Sequence, residues 1–375
     1  MRITPILALA AVSAFALAAN AQQKEVTIAV IGPITGKEAP FGTQMKMGAE
    51  AAVRDINKAG GVNGMQVKLV VEDDACDPKQ AVTAANKVAG EKVAAVIGHF
   101  CSGSSIPASE VYWKAKILQI TPASTNPKLT DEASKKKWTN VHRVCGRDDA
   151  QGEVAGKYLA ATHKGKKIAI LHDNTPYGKG LADEMKKAFN KAGGKEALYE
   201  AIKPGEKDYA AVVAKMQAAG IQVIYLGGYA PETALIARQA AEKNYKPVIM
   251  GGDALDTDDI IKVAGPASNG IMFTQGPDPR LNPASKAVVD TFKAANQDPE
   301  GYTLYTYAAF QMYQQGAAGA KSTDNKAIAE WLRAGNVTHT VLGDLKLDNK
   351  GDLVGAKYVW YVFHDGKYAE DPSIQ

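Results

Sequence analysis

Cysteine is scarce in this chain. Three residues, Cys76, Cys101 and Cys145, occur among 375, too few for a small scaffold held together by disulfides in place of a core. None falls in a CxxC-type spacing. The six histidines, His99, His142, His163, His172, His339 and His364, include no HExxH or other close ligand pair, so a zinc site is not expected and the histidines read as structural. Neither sign of charge dominates: 44 Lys and Arg face 40 Asp and Glu, a formal net charge of +4. The short basic runs 135–137 and 164–167 carry no interleaved aromatic residues to stack bases, and they read as solvated faces, with no nucleic-acid partner implied. The motifs of common catalytic turns are missing too. There is no GxSxG elbow, no GxxxxGK[ST] phosphate loop, and no GxGxxG turn after the first apolar run, and Cys145 lacks an adjacent activating pattern. No catalytic residue, metal or cofactor is expected, and the chain reads as a protein that is not an enzyme.

Long apolar runs are confined to the start. The opening MRITPILALAAVSAFALAANA places one Arg ahead of small and aliphatic residues and ends in Ala19-Asn20-Ala21, the pattern of a secretory signal peptide, residues 1–21, cleaved after Ala21. The run is shorter than the roughly 20 residues a spanning helix needs, and no later window of that length lacks charges, so the mature chain is not expected to span a membrane. An exported protein is also where a cysteine pair is read as a disulfide. The pair expected is Cys76 with Cys101, leaving Cys145 free.

From residue 26 onward, short β-rich runs alternate with amphipathic segments. The runs are 27–32, 65–72, 93–98, 117–121, 166–172, 221–228, 246–252 and 270–275; the helical patterns include 43–59, 78–91, 178–192, 231–243 and 283–295. Nearly continuous apolar strands separated by helices specify parallel sheets covered on both faces, with right-handed crossovers. Gly60-Gly61, Gly193-Gly194 and Gly220 are placed to close helices, and Pro78 and Pro283 to open them. The series up to Thr121 and the series from Lys166 to Gly252 share one strand-helix grammar. This predicts two similar doubly wound α/β lobes: residues 22–143 with 277–354 form the first, and 144–276 with 355–375 the second. The helix patterns 303–320 and 325–335 and a closing strand 356–363 complete them.

The segments EDDACDPKQAV (72–82), ANKV (85–88), VIGHFCSGSSIPAS (96–109), ITPAST (120–125), YGKGLA (177–182) and GGYAPE (227–232) together resemble the leucine/isoleucine/valine-binding protein family of branched-chain amino acid transporters. The resemblance runs in order along essentially the whole mature chain. It implies a type I periplasmic-binding-protein fold, two lobes joined by a three-crossover hinge that close on ligand as a clamp. It also implies an inner-membrane ABC permease as partner; the signal peptide sets the expected location as the periplasm, and a monomer is expected.

A free α-amino acid needs convergent donors, convergent acceptors and a shaped apolar wall. The segment 98–105 follows a strand and precedes a helix, where hydroxyls and N–H groups suit a carboxylate. The resemblance places Ser102 on that carboxylate, helped by Thr125, with Ala123 contributing backbone; read alone, Ser102 is a helix N-cap more readily than a ligand contact. For the ammonium the resemblance points to Asp253, where many family members carry Glu, with Tyr229 as its partner. The shorter acid requires either a closer amine or an intervening water. The apolar wall is implied to be Phe41, Phe100, Tyr177 and Tyr302. Phe100 stands where well-known branched-chain binders carry Leu, and with Tyr302 it narrows the site. Small aliphatic ligands such as alanine, valine, proline or γ-aminobutyrate are therefore expected to compete with leucine and isoleucine. The alternatives are a conventional leucine/isoleucine/valine site and a sensor subunit that docks on a signalling receptor instead of a permease.

Overall fold

The computed structural model describes residues 24–374; the signal peptide expected at 1–21 lies outside them. The first sheet contains β1 (Glu25–Gly32), β2 (Gln66–Asp73), β3 (Ala95–Gly98), β4 (Leu118–Thr121) and β5 (Val141–Arg143), with α1 (Ala39–Lys58), α2 (Pro78–Gly90), α3 (Ser102–Ala115) and α4 (Lys128–Lys135) between them. All its pairings are parallel, in the order β2-β1-β3-β4-β5. Alternate residues of β1 point to opposite faces, as pleating requires. Ile28 and Val30 pack with Phe41 and Met45 of α1, while Ala29 and Ile31 pack with Ala85 and Val88 of α2 and Tyr112 of α3. Burial on both faces accounts for the continuous apolar runs.

The chain then crosses through Val144–Arg147 into α5 (Asp148–Thr162), β6 (Ile168–His172), α6 (Pro176–Lys191), β7 (Leu198–Ala201), α7 (Ala210–Ala218), β8 (Val223–Gly227), α8 (Ala230–Glu242), β9 (Val248–Gly251), α9 (Asp259–Ala264) and β10 (Met272–Gln275). It returns at 276–285 to α10 (Lys286–Ala294), α11 (Thr303–Gly319), α12 (Asn325–Arg333) and a hairpin of β11 (Val337–Thr340) and β12 (Gly343–Lys346). A last crossing leads to β13 (Val359–His364) and β14 (Lys367–Glu370), which pair antiparallel on the edge of the second sheet, ordered β14-β13-β10-β9-β8-β6-β7. The fold is that of two doubly wound parallel-sheet lobes joined by three crossings. α11 packs along α1 over the first sheet. They approach closely because Gly48 has no side chain: a Cβ there would stand 2.1 Å from the Thr303 carbonyl oxygen.

Local signals behave as their chemistry demands. Asp77 caps α2 by accepting from the N–H groups of Lys79 and Gln80 at 2.9 and 2.8 Å, with Pro78 in the first turn, and Thr175 caps α6 the same way. Gly60, Gly61, Gly193 and Gly220 take positive φ after their helices. Pro283 differs from expectation: it opens a short 3-10 turn, Pro283–Ser285, and the α-helix begins at Lys286. The expected pair is joined: Cys76 and Cys101 form a disulfide with Cα atoms 5.6 Å apart. Cys145 is free and buried, its thiol pushed up to about 12 by desolvation.

Candidate amino-acid site

In both sheets the strand order reverses direction between the first and third strands of the series, the switch point where open α/β sheets bind ligands beyond their strand C-termini. The loops leaving β1, β3 and β4 of the first lobe face those leaving β6, β8 and β9 of the second. Phe41, Phe100, Ser102, Ala123, Thr125, Tyr177, Tyr229, Asp253 and Tyr302 are all buried there.

The β3 and β4 loops are stitched together. Thr121 donates its hydroxyl to the His99 carbonyl at 2.7 Å and accepts from the N–H groups of Ala123 and Ser124. The hydroxyls of Ser105 and Ser124 lie 2.7 Å apart, and Ser124 also donates to the Phe100 carbonyl at 2.9 Å. Below them the His99 ring is fixed between Asp74 at 2.6 Å and Tyr112 at 2.7 Å, a structural role. Ser102 is not the N-cap of α3; Cys101 takes that place and Ser102 is the first helical residue. Its hydroxyl accepts from the Asn126 N–H at 3.2 Å, which ties the helix start to the β4 loop and keeps the oxygen at the positive helix end.

On the opposite side Asp253 opens a 3-10 turn after β9. Tyr177 donates to its Oδ1 at 2.9 Å, and Tyr302, from the other lobe, donates to Oδ2. Burial pushes the Asp253 carboxyl up, and the hydrogen bonds from Tyr302 and Tyr177 pull it back. A second acid, Asp148, was not singled out from the sequence. It is the first residue of α5, fully buried, and neither carboxylate oxygen has an aligned donor. Burial, then the nearby Asp253, drives it well above the usual carboxylate range; Thr125 and Arg143 oppose this. Asp148 thus stands buried near Asp253 with both its oxygens short of a donor, whereas each Asp253 oxygen accepts from a tyrosine.

The aromatic wall is shared between lobes. Phe41 stacks on Phe100 with centroids 4.3 Å apart, Tyr302 meets Phe100 edge-on at 5.0 Å, and Tyr177 and Tyr229 pack at 5.1 Å. At the rim Lys37 lies 5.4 Å above the Tyr229 ring and bridges the lobes, reaching Glu232 of α8 at 2.8 Å and its neighbour Glu38 at 3.2 Å. A cavity of about 210 Å³ opens there, lined by Lys37, Glu38, Phe41, Ala230 and Thr257 among others. A larger one, about 420 Å³, runs along the hinge past Gly276, Tyr305 and Tyr358. The convergent donors and acids belong to the interlobe site, so the chemistry, not the volume, locates it. Among the described residues no group of three or more His, Cys, Asp or Glu side chains is arranged to hold a metal ion, and no helix is long and apolar enough to cross a membrane.

Residues 25–367 match the family model described as periplasmic binding protein. The chain is 46% identical over 365 residues to a Leu/Ile/Val-binding protein homolog of Brucella suis, covering 96% of each. It is 41% identical over 364 residues to the leucine-, isoleucine-, valine-, threonine- and alanine-binding protein of Pseudomonas aeruginosa, covering 97% of this chain and 95% of that one. A branched-chain amino acid transporter substrate-binding protein of Streptococcus pneumoniae, solved with isoleucine, superposes with a TM-score of 0.83 at 26% identity, over 93% of this chain and 99% of that one. This chain belongs to the periplasmic binding protein family. Its fold is the type I fold, and members of the family are solute-binding proteins.

Proposed function

We propose that this chain is a periplasmic solute-binding protein that captures a free aliphatic amino acid, branched-chain or smaller, between two lobes and delivers it to an ABC permease. The lobes are proposed as 22–143 with 277–354 and 144–276 with 355–375. The observation that carries the reading is the pairing across one cleft of a donor-rich helix start at Ser102 with the buried acids Asp253 and Asp148. A zwitterion supplies the charge each side lacks. Its carboxylate is received by Ser102, Thr125 and backbone near Ala123. Its ammonium goes to Asp253, with Tyr229 beside it, and Asp148 completes the cation site. No bond is made or broken, and the aromatic wall excludes water, which strengthens each polar contact.

Phe100 wedged between Phe41 and Tyr302 shortens the apolar end, which favours alanine-, valine- or proline-sized ligands and γ-aminobutyrate relative to leucine and isoleucine. The P. aeruginosa relative, whose name includes alanine and threonine, is consistent with such breadth. Titration calorimetry of protein freed of carried-over ligand, against a panel of free amino acids, tests the reading. Saturable binding of at least one aliphatic amino acid is expected, and binding of none would remove it.

A further inference from the structure

Asp352 lies between β12 and β13, at the start of the third crossing, and is buried. Its Oδ2 accepts from Arg147 Nη1 at 2.7 Å and from the Thr130 hydroxyl at 3.0 Å. Its Oδ1 stands 2.8 Å from Arg143 Nε, an ion pair too poorly aligned to be a hydrogen bond. Burial works against the charged form, yet Arg143 and Arg147 hold the Asp352 carboxyl below its ordinary range.

Arg143, itself fully buried at the end of β5, makes three further hydrogen bonds. Nη1 donates to the Ser124 carbonyl at 2.7 Å, and Nη2 to the Thr130 hydroxyl at 2.8 Å and to the Asn126 carbonyl at 3.2 Å. The guanidinium therefore grips the chain on both sides of Thr125. The Thr125 carbonyl accepts from the Asp148 N–H at 3.0 Å, and the Asn126 N–H is the one that meets Ser102. Among the described residues Asp352 is the one carboxylate within ion-pair distance of Arg143. Without it the buried guanidinium keeps only neutral partners, the Ser124 and Asn126 carbonyls and the Thr130 hydroxyl.

We propose that Asp352 is a positioning residue for the amino-acid site: acting through Arg143, it holds the 123–126 loop, and with it Thr125 and Ser102, in the geometry that receives the ligand carboxylate. The inference rests on the assignment of Ser102 and Thr125 to that carboxylate.

Calorimetry with L-alanine, L-valine and L-leucine compares the full wild-type chain, Ser102→Ala, Asp352→Asn and the double variant at a temperature where circular dichroism shows all four folded. Asp352→Asn is expected to weaken the tightest of the three ligands about tenfold or more, the scale on which partners supporting a ligating group act. In the Ser102→Ala background the same substitution is expected to cost clearly less, because both changes act on one contact. A purely structural role lowers the melting temperature and leaves the two losses multiplying independently; that outcome, or unchanged affinity in Asp352→Asn, overturns the proposal. Unchanged affinity in Ser102→Ala overturns the site assignment itself, and the proposal with it. Should Asp352→Asn not fold, Arg143→Lys replaces it in the same cycle with the same two outcomes, since it keeps the charge and loses the fork that grips two carbonyls.

Discussion

Removing the Ser102 hydroxyl or the Asp253 carboxylate takes away a group that faces a full charge on the ligand. Ser102→Ala and Asp253→Ala are each expected to weaken binding by more than the roughly 1 kcal/mol of an ordinary hydrogen bond, with the circular dichroism spectrum retained. Unchanged affinity in Asp253→Ala, measured by calorimetry, would take that residue out of the ammonium site. Phe100→Leu removes the ring stacked on Phe41, and it should raise affinity for leucine relative to alanine. A wild-type preference for leucine that the substitution leaves alone would refute the narrowing. Most of these residues were named by the family resemblance, to which their placement at strand ends adds a physical reason. Asp148 was not. In RDDAQG it reads as an ordinary acid in the first turn of a helix, and only the packing of the lobes strips it of water. Nor was the Tyr302 hydrogen bond to Asp253 readable, since it joins residues of different lobes.

The strands that escaped the sequence are the ones that break its rule of apolar continuity. β5 is three residues with His and Arg among them, β7 is an incompletely buried edge strand, the β11–β12 hairpin is half exposed, and β14, KYAE, shows one buried position in four. Each is held by a neighbour's ladder, a signal that no local window contains. The disulfide acts at this scale as well. It ties the turn before α2 to the residue that caps α3, and its 25-residue separation corresponds to roughly 3 kcal/mol of stability. Denaturant titration with and without reductant should show a loss of that order. Denatured, unreduced protein should react at one thiol, that of Cys145; three reactive thiols would show that the bridge does not form.

Across the whole molecule, the rim of the cleft is expected to couple closure to protons. Glu38 belongs to the first lobe, while Glu232 and Asp173 face it from α8 and the end of β6, beside the Tyr229 ring; Lys37 is the cation bridging them. Burial raises Glu38 to about 8, against the pull of Lys37, and Asp173 to about 6, against hydrogen bonds from Thr175. Opening the lobes is expected to rehydrate these groups and lower both values. A carboxyl with the higher pKa in the closed form takes up a proton on closing, so closure is favoured at low pH and loses that advantage as pH rises through about 6 and then about 8. Ligand affinity is expected to fall as pH rises from the ordinary carboxylate range, 3.8 to 4.5, to about 8 and to level off above it, and Glu38→Gln to flatten the part of that fall above about 6. Calorimetry in buffers of different ionisation heat reads the proton uptake directly, and equal heats in all buffers would exclude it.

The interleaving of the chain between lobes also dictates an order of assembly. The strands of the first sheet are complete at Arg143, but Phe310 and Met312 of α11, which share a core with Ile28 and Val30 of β1, arrive only after five strands of the second sheet. That second sheet in turn waits for β13 and β14 at the very end of the chain. Neither half has a finished interior until nearly all the polypeptide is present, so fragment 24–143 should remain unfolded when produced alone. The first lobe of such a nascent chain lacks part of its core until α11 has been made, long after its own strands are complete.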